Sequence, residues 1–185
     1  MNKNYIIGIV ILIAILLYLN MPSKNMNRIA VFETNVGTFK VEMYEDKAPM
    51  TTKNFIDLVQ RKYYDGTRFH RVIAKFMIQG GDPLSKDVSQ KERWGTGGPG
   101  FRIDDEFGKE LSNIKGTISM ANSGPNTGGS QFFINVAANT FLDGKHAVFG
   151  KVIDNYELVE KISKVETDSG DKPIDDVIIN KITIE

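Results

Sequence analysis

Hydrophobic and polar residues along this chain of 185 residues form three kinds of pattern. Residues 5–19 are a continuous apolar or aromatic run. Further along, short segments alternate between apolar and polar positions, as where Phe39, Val41 and Met43 share one face, and this alternation is typical of half-buried strands. Two other segments have apolar residues three or four positions apart, the spacing of one face of a helix. The pattern therefore predicts strands and helices behind an apolar N-terminal segment.

The predicted helices are residues 48–63 and a segment that starts at residue 155. Pro49 suits the first turn of the earlier helix, and Asp65 with Gly66 ends it. The strand-like segments are 29–33, 37–44, 67–73, 76–80, 117–120, 131–136, 147–153 and 176–184. These elements predict a mainly β fold, a closed eight-stranded antiparallel barrel capped by two helices, with an N-terminal apolar helix.

The apolar run at 5–19 predicts a membrane anchor or a signal segment within residues 1–21. As a helix it spans about 22 Å, and polar flanks bring it near the lower limit for a bilayer core of about 30 Å. An uncleaved anchor, a cleaved signal peptide and a buried core helix are all compatible with the run; residues 19–23 have no small-x-small cleavage site, which favours the anchor. We expect a membrane-anchored protein with an extracytoplasmic domain, or alternatively a secreted one. Residues 22–28 are a polar linker, and residues 29–185 form the folded domain.

Composition excludes several classes of function. The chain has 23 basic and 23 acidic residues, so it lacks the basic surface of a nucleic-acid binder. It has no cysteine, which excludes disulfides, thiolate nucleophiles and cysteine-bound metals. Its two histidines, His70 and His146, are distant in sequence, so no metal site is predicted. We expect His70 to be a core residue with a hydrogen-bonded ring.

Candidate chemistry begins with residues 69–82, FHRVIAKFMIQGGD, where one arginine lies in an otherwise apolar strand pattern. An unpaired buried charge costs several kcal/mol, so we expect Arg71 to face a cleft. Taken alone, Arg71 would more often be a strand-edge charge in an ion pair. Two further segments change that interpretation: SMANSGPNTGGSQFFI at 119–134 and FLDGKHAVFGKV at 141–152. In order and spacing, the three resemble the signature segments of the cyclophilins, the peptidyl-prolyl cis-trans isomerases.

The resemblance covers residues 29–185 and implies a role for each matching residue. It implies that Arg71 is the catalytic hydrogen-bond donor to the prolyl nitrogen. It implies a proline pocket lined by Phe76, Met77, Phe133, Leu142 and His146. It further implies contacts to the flanking peptide from Gln79, Thr96, Ala121, Asn122 and Gln131, with Phe141 at the pocket rim. The expected partners are proline-containing polypeptides, and the expected state is a monomer.

The implied reaction is rotation about the X-Pro amide bond, whose barrier is about 18–20 kcal/mol. No covalent bond changes, so the reaction needs no nucleophile, metal or cofactor. It needs an apolar hole for the proline ring and a donor aimed at the imide nitrogen, which together stabilise the twisted state. The alternative is a non-catalytic proline-peptide-binding or chaperone module, which would not need Arg71.

The chain departs from the cyclophilin pattern at two places. Phe141 lies where many members have tryptophan, so an indole N–H donor is missing and cyclosporin binding is expected to be weakened. The connection at 83–94 is longer than usual. It is either a variable surface loop or an element of specificity.

Overall fold

The computed structural model of the chain describes residues 27–185. The predicted N-terminal apolar helix, the anchor or signal segment at 1–21, and residues 22–26 of the linker lie outside the described residues. Within residues 27–185, no helix is both long and apolar enough to cross a membrane.

The domain contains eight strands and two α-helices. The strands are β1 Ile29–Thr34, β2 Gly37–Met43, β3 Arg71–Ile73, β4 Met77–Gly80, β5 Thr117–Met120, β6 Phe132–Asn135, β7 Val148–Asp154 and β8 Ile179–Ile184. The α-helices are α1 Pro49–Gln60 and α2 Tyr156–Ile162, and short 3-10 helices lie at Pro83–Lys86, Val88–Arg93 and Thr140–Leu142. The predicted mainly β fold with two helices is confirmed.

All eight strands form one curled antiparallel sheet, a half-barrel in the order β3-β4-β6-β5-β7-β2-β1-β8. β3 and β8 are its edge strands. Beside these edges, the Phe69 N–H donates to the Val177 carbonyl at 3.0 Å, and the Ile179 N–H donates to the Thr67 carbonyl at 2.8 Å. The predicted complete closure of the barrel stays a prediction.

The last strand is shorter than the predicted 176–184, and Asn35 supplies the reason. Its side-chain amide donates to the Asp176 carbonyl at 2.9 Å and accepts from the Ile178 N–H at 2.8 Å. These side-chain bonds occupy backbone groups that a neighbouring strand would otherwise pair, so β8 begins at Ile179.

The core lies inside the curled sheet and is rich in aromatic rings. Phe32 and Phe39 stack with ring centroids 4.7 Å apart, and Phe55 of α1 meets Phe132 edge-on at 5.6 Å. Tyr64 is fully buried, its hydroxyl donates to the Ser130 carbonyl at 3.0 Å, and burial raises the pKa of this hydroxyl well above 10. The core therefore fills the concave side of the sheet and leaves the convex side available for a site.

Candidate active site

The pairing register of β3, β4 and β6 sets the residues of the site in a row. Arg71 is opposite Gln79, and Gln79 is opposite Phe133. Directly paired residues project from the same face of a sheet, so these three side chains share one face. The alternate positions Ile78 and Ile134 pack into the core. The site therefore lies on the convex face, which is where strand alternation puts every second residue.

Arg71 begins the edge strand β3, and its side chain is 44% exposed. Its Nε lies 3.4 Å from Oδ2 of Asp171. The structure thus combines both sequence interpretations: Arg71 is a strand-edge charge with an ion-pair partner, and it stands at the end of the row that leads into the predicted site. Its catalytic role stays a prediction.

An apolar patch adjoins this row. Met77 and Phe133 are 2% and 4% exposed and form its floor. The His146 ring meets the Phe133 ring edge-on at 5.3 Å, and His146 Nδ1 lies 3.1 Å from the Met120 carbonyl oxygen. Phe76 stacks on Phe141 with ring centroids 6.0 Å apart. The patch thus contains residues of the predicted proline pocket from three separate segments, with Phe141 at its rim.

The wall of this patch is the 3-10 helix Thr140–Leu142, which carries Phe141 and the half-buried Leu142. The buried residue Asn139 holds it in place. Its Nδ2 donates to the Phe76 carbonyl at 2.8 Å and to Oδ1 of Asn135 at 2.7 Å. Asn139 was missed in the sequence, because a buried asparagine next to a threonine gives no periodic signal.

The predicted peptide-contacting residues line a cleft of about 620 Å³. Its lining includes Gln79, Thr96, Ala121, Asn122 and Gln131, together with the backbone of the glycine-rich segment 97–100. The Ala121 N–H donates to the Gln131 carbonyl at 3.0 Å, and the Asn122 amide donates to the Lys145 carbonyl at 2.7 Å. Gln79 belongs to both the cleft and the Arg71 row, so the cleft and the apolar patch are neighbours.

The side-chain amide of Gln131 binds the loop that borders the cleft. Its Oε1 accepts from Gln79 Nε2 at 2.9 Å, while its Nε2 donates to the carbonyls of Gly95 and Gly97 at 3.0 and 2.8 Å. Thr96 lies between the two glycines, and its hydroxyl donates to the Arg93 carbonyl at 2.7 Å. Gln131 therefore shapes the cleft wall.

The same loop is held from behind by Asp82, which is fully buried. Its Oδ2 accepts from the N–H groups of Gly95 and, at 3.1 Å, Gly97, while its Oδ1 accepts from the Leu84 N–H at 2.7 Å. A Cβ at Gly97 would lie 2.1 Å from Oδ1 of Asp82, so that position requires glycine. The sequence carried a signal for this anchor, since an aspartate directly before Pro83 favours a turn bonded by its own side chain.

His70 differs from its prediction. It is buried, at 2% exposure, but among residues 27–185 neither ring nitrogen has a hydrogen-bond partner. Burial lowers the pKa of His70 to about 4, against the opposing charge of Asp82. The expectation of a hydrogen-bonded ring was wrong because the neighbouring polar groups are engaged elsewhere: Asp82 binds backbone N–H groups and Gln131 binds loop carbonyls.

Comparison with known proteins decides the family. The family model described as "Cyclophilin type peptidyl-prolyl cis-trans isomerase/CLD" matches residues 29–184. This chain is a member of the cyclophilin family. The cyclophilin resemblance of its sequence segments is therefore confirmed, and the signature positions at 69–82, 119–134 and 141–152 all fall within the matched range.

Individual cyclophilins agree with this assignment. The chain is 48% identical over 143 residues to peptidyl-prolyl cis-trans isomerase-like 1 of Rhizopus delemar, covering 77% of this chain and 84% of that protein. It is 45% identical over 150 residues to the Homo sapiens protein of the same name, and the match covers 80% of this chain and 87% of that protein. A crystal structure of a Cryptosporidium parvum cyclophilin type isomerase superposes with a TM-score of 0.79 at 38% identity, covering 86% and 98%. A second structure of that protein, determined in the presence of the dipeptide Ala-Pro, superposes with a TM-score of 0.78.

Proposed function

We propose that this cyclophilin accelerates X-Pro rotation with Arg71 as the donor to the prolyl nitrogen. The observation that carries the proposal is the shared register of Arg71, Gln79 and Phe133 on one sheet face, directly beside the apolar patch. From the end of that row, the Arg71 guanidinium would donate to the nitrogen of a proline whose ring lies in the patch. Within residues 27–185, no other cationic residue pairs into the same row.

Each part of the site contributes to stabilising the twisted amide. The apolar patch of Met77, Phe133 and His146 takes the pyrrolidine ring out of water. The cleft lined by Gln79 and Gln131 holds the flanking peptide, so that its motion relative to the proline is restricted. As the bond twists, the nitrogen lone pair is freed from resonance, and a donor from Arg71 then binds it more strongly than in either planar state.

The expected substrates are proline-containing polypeptides, and the expected result of turnover is assistance to protein folding, since uncatalysed prolyl isomerisation takes tens to hundreds of seconds. The alternative is a peptide-binding or chaperone module that uses the same cleft without turnover. Arg71 favours the isomerase, because a donor at the prolyl nitrogen adds little to the binding of a planar amide.

The apolar run at 5–19 supports a further proposal, that residues 1–21 tether the domain to a membrane on its extracytoplasmic side. Secretion after cleavage of the segment is the alternative. In either case the linker at 22–28 would precede a monomeric domain. If the domain is tethered, its substrates would be chains folding near the membrane surface.

Exchange spectroscopy by NMR separates the isomerase from the binder. An Ala-Pro peptide is mixed with a small amount of the full-length chain in mild detergent, and cross-peaks between its cis and trans signals are recorded. An isomerase produces exchange cross-peaks on the subsecond timescale. A binding module would shift the peptide signals without producing them, and that result would contradict the proposal.

A further inference from the structure

Arg71 lies where the fold itself does little to orient it. β3 has only three residues and is an edge strand, and the Arg71 side chain is 44% exposed. A long exposed arginine side chain samples many rotamers, which costs free energy each time the guanidinium must take one position. Within residues 27–185, the only ion-pair partner of this guanidinium is Asp171, whose Oδ2 lies 3.4 Å from Nε.

The backbone of Asp171 is attached to the same strand. Its carbonyl accepts from the Val72 N–H at 2.8 Å, and Val72 directly follows Arg71. Its own N–H donates to the Asp168 carbonyl at 3.1 Å. Asp171 also has a φ of +62°, in the left-handed region that aspartate, asparagine and glycine tolerate best. The carboxylate is therefore presented to the guanidinium from a fixed backbone position.

The turn that carries Asp171 is internally bonded and is held by a lysine from another segment. Oδ1 of Asp168 accepts from the N–H groups of Gly170 and Lys172 at 2.9 and 3.0 Å. Oδ2 of Asp168 lies 3.5 Å from Nζ of Lys91, in the 3-10 helix Val88–Arg93. Lys91 thus connects the long 83–94 loop to the turn beside Arg71.

Lys91 packs near the buried ring of Trp94. Nζ of Lys91 lies 5.9 Å from the ring of Trp94, which is 6% exposed and donates from Nε1 to the Asp87 carbonyl at 3.0 Å. The Trp94 ring also contacts the guanidinium of Arg68, whose Cζ lies 5.3 Å from the ring centroid and whose Nε lies 2.6 Å from Oδ2 of Asp176. The loop therefore contacts the segment that carries Asp171 directly through Lys91 and Asp168, and indirectly through Arg68.

We propose that Asp171 is a positioning residue for Arg71, and that Lys91 of the 83–94 loop steadies the turn that presents it. Binding through Nε fixes the plane of the guanidinium and leaves both Nη groups to face the substrate. This inference rests on the proposed role of Arg71 as the prolyl donor. It makes the 83–94 loop a support for the catalytic side chain.

The first test uses kcat/KM for an X-Pro peptide, measured on the full-length chain. Asp171→Gly suits the positive φ and removes both acceptor oxygens, so kcat/KM should fall about two- to fivefold, the range of an exposed ion pair. Asp171→Asn keeps one acceptor oxygen, so its kcat/KM should fall less. Asp175→Asn alters an exposed carboxylate of the same segment, so its kcat/KM should equal that of the wild type. Unfolding by urea is measured alongside, to check that each variant is folded.

The second test shows whether Asp171 acts through Arg71. In an Arg71→Ala chain, Asp171→Gly should cause no further loss, whereas a merely structural role would reduce the residual activity by the same factor as in the wild type. The NMR signal of the Arg71 Nε–H should also move in Asp171→Gly and in Lys91→Met. It should stay in place in Asp175→Asn and in Lys86→Met, a change elsewhere on the same loop.

The outcomes separate this inference from the proposed function. Equal kcat/KM in wild type, Asp171→Gly and Asp175→Asn would overturn the role of Asp171. An unmoved Nε–H signal in Lys91→Met would overturn the role of the loop. A wild-type chain without isomerase activity, or an Arg71→Ala chain with full activity, would instead contradict the proposed function on which the inference rests.

Discussion

Phe76 and Phe141 stack with their ring centroids 6.0 Å apart and their planes inclined by 19°. Phe76 precedes β4, whereas Phe141 belongs to the 3-10 helix Thr140–Leu142, so the contact joins two distant segments at the rim of the apolar patch. Phe141 is 61% exposed and is therefore available to a ligand. It offers an apolar face and, unlike tryptophan, no hydrogen-bond donor.

The position of Phe141 at the rim of the apolar patch leads to a prediction about cyclosporin affinity. Phe141→Trp should tighten binding about three- to tenfold, because a neutral hydrogen bond from the new indole N–H is worth about 0.5–1.5 kcal/mol net. Turnover of an X-Pro peptide should change little, since it depends on Arg71 and the patch around Phe133. Titration calorimetry measures the affinity. Equal cyclosporin affinity in wild type and Phe141→Trp would show that Phe141 does not occupy the assigned position.

His70 predicts a stability that depends on pH. Its pKa is about 4 in the folded state, against an ordinary value of 6.5. Between these values the unfolded chain binds more protons, so the contribution of His70 is fully present above pH 6.5 and is lost as the pH falls toward 4. The difference corresponds to about 3 kcal/mol of unfolding free energy.

Urea unfolding of wild type and His70→Gln at a series of pH values measures this contribution. Carboxylates titrate in both proteins, so the difference between the two curves isolates His70. The wild type should lose stability faster than His70→Gln between pH 6.5 and 4. Parallel curves across that window would mean that His70 is not buried as a neutral ring.

Asp82 predicts a local weakening of the cleft wall. Asp82→Asn keeps the shape but places an NH₂ group among backbone donors, and the unsatisfied donors should cost about 1–3 kcal/mol of stability. Hydrogen exchange at the Gly95 and Gly97 amides should speed up more than at core amides. Asp175→Asn, at an exposed site, should leave both rates unchanged. Protection of the two glycine amides in Asp82→Asn would contradict the anchoring role.

Residues 1–25 are predicted to be dispensable for the domain. Their deletion should give a soluble, active monomer, because the aromatic cluster around Phe55 and Phe132 fills the sheet without them. Gel filtration and peptide turnover check the result. Aggregation or unfolding of the shortened chain would mean that the apolar segment belongs to the core.

Protease protection in intact cells tests on which side of the membrane the domain lies.

Alternation along the chain was enough to predict most strands. Resemblance supplied the predicted site residues, and the register brings Arg71, Gln79 and Phe133 to one face. What the sequence did not reveal are bonds between distant side chains and backbone. Asn35 sets the start of β8, and Asp171 contacts Arg71 across one hundred positions; such contacts leave no periodic pattern in the sequence.

The measurement that most directly tests the central claim is kcat/KM for X-Pro isomerisation in Arg71→Ala and Arg71→Lys. Loss of the donor should lower kcat/KM about a hundredfold in Arg71→Ala, the usual effect of removing one donor to a transition state. Arg71→Lys should recover little, because an ammonium lacks the planar donor geometry. Circular dichroism should match the wild type in both variants, since Arg71 is exposed on an edge strand. Activity near the wild-type level in both variants would contradict the account.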